Sequence, residues 1–305
     1  MNRAGTLATL LALSAVWGTQ FLVVRLAQAE LPPWRAVALR FIVVAALGQI
    51  ATTAGRARAP RGVLGLRLAL GATQALSMGL LYTGQQRVPS ALASVLTATT
   101  PLVVVVLARH WLRERILGRS VLAGALGLAG VALISGAHVE NRLAAVGVAL
   151  LLASALLSAV SKTIGKAITD LPIAILLRDL GGVVAVVALA ATFTLERHVR
   201  WEVGRREIAA AVYLGAVAST GANALYFVLL RRVDVSRLSY LQFVSAGTGL
   251  LVGVLFAGEH LNGRTLTGAG LILAGAALHA SGARPAKPTS SSAPAGPQPP
   301  PATGE

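Results

Sequence analysis

Apolar residues run through this chain in blocks of about twenty, separated by short polar gaps in which arginine is frequent. Blocks at 6–27, 33–54, 64–84, 90–112, 120–137, 144–166, 171–194, 207–230, 236–257 and 263–282 each come close to the ~20 residues that an α-helix needs to cross a bilayer's hydrocarbon. The pattern therefore predicts an all-α integral membrane protein of ten transmembrane helices. The second and seventh blocks are the weakest, because each carries charge inside. Most gaps are short, which makes consecutive helices antiparallel neighbours; the exception is the longer polar segment around Leu195–Glu207. After about Gly282 the composition shifts to Pro, Ser, Ala and Gly, with Pro299-Pro300-Pro301 near the end. A tail of that kind lacks the apolar residues to fold, so 283–305 is expected to be disordered.

The second half of the chain repeats the first. Glu114-Arg115-Ile116-Leu117-Gly118-Arg119 returns 145 residues later as Glu259-His260-Leu261-Asn262-Gly263-Arg264, and Leu128-Ala129-Gly130 stays in step with Leu273-Ala274-Gly275 without a gap. Upstream, Ser14-Ala15 and a run closing on Glu30-Leu31-Pro32 match Ser154-Ala155 and a run closing on Asp170-Leu171-Pro172. Ten spans in two copies give five per copy, and an odd number forces the copies into opposite orientations. The expected organisation is an inverted repeat, 1–138 and 139–282, with a site near the midplane between them.

Composition agrees with the membrane reading. The chain is 55% hydrophobic and 12% charged with a mean hydropathy of +0.72, against roughly a quarter charged in ordinary globular domains. Its 32 glycines suit helices that approach closely in lipid. The net charge of +16 invites a nucleic-acid reading, but the basic residues lie in the gaps between apolar blocks and not in one tract. That is how topology is written, since cytoplasmic loops collect Lys and Arg, and no nucleic-acid partner is expected. Counted by side, the excess puts both termini in the cytoplasm; Arg197, Arg200, Arg205 and Arg206 in the 195–207 segment are the contrary signal. The absence of cysteine excludes disulfides and thiolate metal sites. The first block starts within a few residues of Met1, is long enough to span and lacks a small-residue cleavage site, so no cleavable signal is expected.

Several short motifs, in order and spacing, resemble one family. They are Ala15-Val16-Trp17-Gly18, Phe21, Pro32-Pro33 and Leu39-Arg40-Phe41 in the first two spans; Ser90-Ala91, Pro101 and Glu114-Arg115 around the fourth; and Ser236, Gly253 and Gly258-Glu259-His260-Leu261 around the ninth and tenth. This is similar to the EamA-type branch of the drug/metabolite transporter superfamily, over nearly the whole chain to about residue 282. The resemblance implies a ten-helix, two-repeat carrier in the cell membrane that moves small metabolites such as amino acids and related compounds, frequently as efflux, with protons as the candidate coupling ion. The chain also departs from that pattern. Where family members carry Glu-Pro in the second repeat, Ser245-Ala246 stand here, and Leu157 replaces the tryptophan expected opposite Trp17. A mechanism built on a kinked ninth helix or an acid at 245 is therefore not expected.

Charge inside the spans marks the candidate site, because an ionisable group at mid-helix costs on the order of 2.5–3.5 kcal/mol and normally faces a cavity or a partner. Arg40 lies seven residues past Pro33, and Asp179 lies seven past Pro172 with Arg178 beside it. Arg40 and the Arg178/Asp179 pair are thus expected to flank one cavity; the plainer alternatives are that Arg40 pairs with Asp179 to tie the halves together, or snorkels to the interface. A guanidinium suits a carboxylate, and Asp179 is the only acid well inside a predicted span, hence the candidate proton-coupling residue. Trp17, Gln20, Gln74, Tyr82, Asn223, Tyr226, Tyr240 and Gln242 lie inside spans as further candidates, Trp17, Tyr82, Asn223, Tyr226 and Tyr240 foremost for substrate. The alternative for each is an interhelical hydrogen bond. Lys162 and Arg25 are read as snorkelling span-end residues, and Glu114 and Glu259 as helix-end or loop packing.

Other classes fit less well. The five histidines are scattered without His-x-x-x-His or Glu-x-x-His spacing, so no metal site is expected. Ser154, Ser158 and Ser161 recur at helical spacing with no histidine nearby in sequence to activate one, and read as a packing face. No Gly-x-x-x-x-Gly-Lys phosphate cradle is present, which excludes direct ATP drive on this chain. The expectation is a cofactor-free secondary carrier for a small zwitterionic or anionic metabolite, as monomer or homodimer. A non-transporting membrane subunit or receptor, or an intramembrane enzyme, are the alternatives.

Overall fold

The computed structural model describes residues 3–57, 61–111, 118–136, 142–199, 202–231, 235–238, 241–259 and 261–280. The Glu114 loop, Tyr240, His260 and the 283–305 tail lie outside them. The described residues form helices and no strand. In chain order these are α1 (Arg3–Ala27), α2 (Pro33–Ala54), α3 (Leu64–Gln85), α4 (Ser90–Trp111), α5 (Gly118–Gly136), α6 (Arg142–Ala167), α7 (Ile173–Leu195), α8 (Arg205–Leu230), α9 (Leu241–Ala257) and α10 (Gly263–Ala280), with a helical turn Val235–Leu238 before α9. Six of them, α2, α3, α4, α6, α7 and α8, are long and apolar enough to cross a membrane, and Ala12–Ala27 and Val244–Ala257 are shorter apolar stretches. Large apolar side chains such as Ile50, Leu143, Val186, Phe193, Leu255 and Phe256 point outward, while Arg35, Arg40 and Arg67 are buried. In water that distribution would leave apolar patches far larger than a soluble monomer carries. In lipid it is the stable one, so this is a multi-pass membrane protein.

Proline decides how three of the helices behave. Pro32 caps α2 and Pro172 caps α7, both in extended conformation (φ −62° and −55°), which sets the first helical turn without a donor to satisfy. Inside α4, Pro101 has no amide to offer, and the helix is interrupted at Ala98–Thr99 between segments Ser90–Thr97 and Thr100–Trp111. The equivalent stretch of α9 has Ser245-Ala246 and runs unbroken over Leu241–Ala257. There the Ser245 hydroxyl donates to the Ser14 carbonyl at 2.9 Å, so the unkinked stretch also ties α9 to α1. A further irregularity has no proline: α8 widens to a π-helix over Tyr213–Gly221.

Close backbone contacts come in reciprocal pairs. α2 crosses α7 where a Cβ on Gly48 would stand 2.5 Å from the Arg178 amide nitrogen and one on Gly181 2.5 Å from that of Ala45; only hydrogen fits at either glycine. α5 crosses α10 in the same manner, Gly130 on the Gly268 carbonyl and Gly275 on the Ala123 carbonyl. These are the 145-residue partners exchanged: 123 answers to 268, and 130 to 275. The other packings double likewise, α3 on α6 with α8 on α1, and α1 on α9 with α6 on α4. Without a hydrophobic force between helices in lipid, such van der Waals contact is what holds the bundle together.

Candidate functional site

A cavity of about 110 Å³ lies where α1, α2, α3 and α4 meet α6, α7, α8 and α9. Each helix brings one face to it. α1 supplies Trp17, Gln20 and Phe21, α2 Arg40 and Phe41, and α3 Gln74 and Ser77 with three apolar neighbours. α6 supplies Ser154, Ala155, Ser158, Ser161, Lys162 and Gly165, a spacing that keeps every one on the same side of a 3.6-residue helix. α8 adds Ala218, Ser219, Asn223, Tyr226 and Phe227, the first two from its π-segment, and α9 adds Gln242.

Arg40 stands in this wall 4% exposed. Its Nε donates to the Ser219 hydroxyl at 2.8 Å, Nη1 to the Tyr82 hydroxyl at 3.1 Å and Nη2 to the Gln20 side-chain oxygen at 3.0 Å. The guanidinium also lies 5.6 Å from the Phe41 ring centre. Lys162 faces the same space, half-buried, with Nζ donating to the Gln242 side-chain oxygen at 3.0 Å and standing 5.9 Å from the Trp17 ring centre. Trp17 in turn packs on Tyr226, centroids 5.4 Å apart. Among the described residues no aspartate or glutamate lines the cavity, and no carboxylate pairs with either cation. Neutral acceptors satisfy donors but leave the charges in place. At 4 Å and an effective dielectric of about 20, a ligand's anionic group gains about 4 kcal/mol from one such cation, several times the ~0.6 kcal/mol of a typical interhelical hydrogen bond in a membrane. Charge, more than hydrogen bonding, is what this site offers a ligand.

Of the candidates read from sequence, Trp17, Arg40, Asn223 and Tyr226 line the cavity, and Tyr82 stands behind the wall holding Arg40. Tyr240 lies outside the described residues. Arg178 and Asp179 do not line it, and Arg40 does not pair with Asp179. Asp179 is instead bound by Arg67 on α3 and by its neighbour Arg178 (Nε–Oδ1 2.9 Å), and Arg178 borders a separate crevice with Gln49, Thr52, Thr53 and Arg56. The reason is register. The two helix-capping prolines are Pro32 and Pro172, so Arg40 corresponds to Leu180, which does line the cavity. Asp179 corresponds to Leu39, about 100° away around the helix. Lys162, expected to snorkel, points into the cavity. The signal for it was present in the serine face of α6, whose spacing includes position 162.

The ends of the bundle are tied by carboxylates. Gly258 adopts a left-handed φ of 61° after α9, a conformation that costs glycine nothing, and the turn delivers Glu259 to the first turn of α4. There its carboxylate accepts from the Ser90 amide and the Ala91 amide, both at 2.8 Å, and from the Ser90 hydroxyl at 2.7 Å, and it pairs with Arg25 of α1. Burial pushes its pKa up, but these donors outweigh that and hold the carboxyl below its usual range. Glu196, following α7, accepts from the Trp34 and Arg35 amides at 2.8 and 3.0 Å in the first turn of α2. For Glu196 burial wins and the carboxyl is pushed up. Among the described residues no group of three His, Cys, Asp or Glu is arranged to hold a metal ion.

Fold and cavity together define the class: a helical, multi-pass membrane protein enclosing a small cationic cavity at the junction of its helices. The chain belongs to the EamA-like transporter family, which matches residues 5–136 and again residues 145–280. A relative from Archaeoglobus fulgidus, described as an uncharacterized transporter, is 27% identical over 261 residues, 85% of this chain and 92% of its own length. A crystal structure at 23% identity superimposes with a TM-score of 0.68 over 90% of this chain and 96% of its own, which speaks for the fold. The protein is thus a membrane transporter by family.

Proposed function

We propose that this transporter is a secondary carrier that works by alternating access on small zwitterionic or anionic metabolites, such as amino acids and related compounds, with export as its working direction. The observation that carries the reading is the cavity: Arg40 from α2 and Lys162 from α6 both line it, and among the described residues no acidic residue does. Ten membrane crossings arranged as two inverted five-helix units, 1–138 and 139–282, both termini cytoplasmic, are part of the proposal. The double family match and the exchanged contacts of α5 with α10 support that arrangement. In an inverted repeat a site at the junction can open to either side as one unit rocks against the other.

Within this reading Arg40 holds the substrate's carboxylate, and Trp17, Asn223 and Tyr226 shape the remainder. Asp179 is proposed as a structural tie, since two arginines hold it away from the cavity; its role as a proton carrier is the second reading, resting on its place within α7. Reconstituted vesicles containing only this chain test the proposal. Metabolite flux that disappears in Arg40→Ala is expected, together with loss of ligand-induced thermal stabilisation, because a ligand stabilises only what it binds in the folded state. Undiminished flux in Arg40→Ala sinks the assignment of this cavity, and no flux of any metabolite favours a non-transporting membrane subunit.

A further inference from the structure

The charge balance of the cavity narrows its ligand further, on the premise that the cavity is the carrier's binding site. Arg40 has five N–H donors, of which three go to Ser219, Tyr82 and Gln20. Lys162 has three, of which one goes to Gln242. Among the described residues each cation thus keeps two donors uncommitted, enough for one to each oxygen of a carboxylate. The two charges come from different helices, α2 and α6, and line one small space together with the stacked Trp17 and Tyr226 rings.

A zwitterion fits this poorly. Its carboxylate would find a cation, but its ammonium would share the cavity with the other cation and meet no carboxylate. The nearest candidates for such an acid are spent elsewhere, Asp179 on Arg67 and Arg178 and Glu259 on Arg25. We infer that the cavity takes a small organic dianion, one anionic group on Arg40 and the other on Lys162, with a short apolar chain between them. Such a ligand neutralises both charges at once, whereas a monoanion leaves one and a zwitterion leaves the net charge unchanged.

Thermal stability of the purified full chain at neutral pH, titrated with succinate, propionate or alanine at matched ionic strength, tests this. Succinate is expected to bind roughly tenfold more tightly than propionate and roughly a hundredfold more tightly than alanine. Lys162→Gln should weaken succinate by roughly tenfold and Lys162→Arg by much less, with unliganded melting and helix content showing that each variant folds. Alanine binding as tightly as succinate, no stabilisation by succinate, or a succinate affinity unmoved by Lys162→Gln overturns the dianion. If alanine binds as tightly as succinate and Arg40→Gln removes that binding, the dianion fails while the cavity stands as the site; binding that neither Arg40→Gln nor Lys162→Gln alters removes both.

Discussion

Arg40 and Arg67 are buried to a similar degree, 4% and 7% exposed, on neighbouring helices of one bundle, yet they end on different kinds of partner. Arg67 meets a carboxylate, Asp179, which Arg178 also holds. Arg40 meets a serine, a tyrosine and a glutamine. A second pair shows the same contrast: Arg25 is answered by Glu259 at one end, while Lys162 in the cavity is answered by Gln242. Arg67 and Arg25 are neutralised within the protein and fix helix to helix. The cations in the cavity are positioned but not neutralised. A cation that a membrane protein buries at a cost of a few kcal/mol and does not pair internally is best placed to be paired by something that comes and goes.

Breaking the structural side of the contrast should produce the largest effect. Asp179→Asn leaves Arg67 and Arg178 facing a neutral amide, and removing one member of a buried ion pair typically costs about 3–5 kcal/mol. A lowered thermal midpoint is expected, with transport per folded molecule retained. Normal stability together with lost proton-driven flux would instead make Asp179 the coupling residue and erase the contrast. Arg40→Gln should invert the pattern. It removes an uncompensated charge, so stability holds or rises, while flux falls by roughly a hundredfold, about 2.7 kcal/mol. A collapse of folding in Arg40→Gln would put Arg40 with Arg67.

How far the chain itself revealed this arrangement depends on the feature. The apolar blocks gave helix positions to within a few residues, because length and hydropathy are local properties; α2 at Pro33–Ala54 falls on the predicted 33–54. Position inside a span is also legible: Arg40, by its charge, and Trp17, Asn223 and Tyr226, as polar or aromatic residues within spans, are candidates from the sequence, and all four line the cavity. Azimuth is not legible. One residue of error in matching Pro33, and not Pro32, to Pro172 turned Asp179 toward the cavity by about 100°. Lys162 was judged by its distance from the span end, although the serines at 154, 158 and 161 define the face it shares. The π-segment Tyr213–Gly221, which carries Ser219 to Arg40, has no proline or motif to announce it. Widened turns of this kind gather at functional sites and depend on how the helix is packed.

The two glutamates that cap helix starts sharpen the comparison on a finer scale. Glu259 receives two amides, a hydroxyl and Arg25, so the folded protein favours its ionised form. Its carboxyl is depressed below the ordinary 4.5, and the stability it contributes is present above that value and lost as pH falls through the lower, folded-state one. Glu259→Gln is expected to cost about 2 kcal/mol at neutral pH, in the range of hydrogen bonds to a charged group. The variant should also lose part of the wild type's decline in thermal midpoint below pH 4.5. A midpoint equal to that of the wild type at neutral pH would show that α1, α4 and the Glu259 turn are held together by packing alone.

Glu196 should show the opposite sign and the smallest effect. Burial raises its carboxyl above 4.5 despite the Trp34 and Arg35 amides and the charge of Arg35, so folding favours the protonated form. The favourable contribution is then complete below 4.5 and is lost as pH rises through the raised folded-state value. When ionised, Glu196 is a carboxylate held where burial disfavours it. Glu196→Gln removes that penalty and keeps an oxygen for the amides of the first turn of α2, at the loss of the attraction to Arg35 and of a favourable charge at a helix start, the latter worth about 0.3–1 kcal/mol when exposed. These changes oppose one another. The expected result is a thermal midpoint within about 0.5 kcal/mol of wild type at neutral pH, and a variant that no longer gains from acidification between neutral pH and 4.5. A loss at neutral pH as large as that of Glu259→Gln would mean that the charge, and not the oxygen, caps α2, and would place Glu196 beside Glu259 as a structural ion.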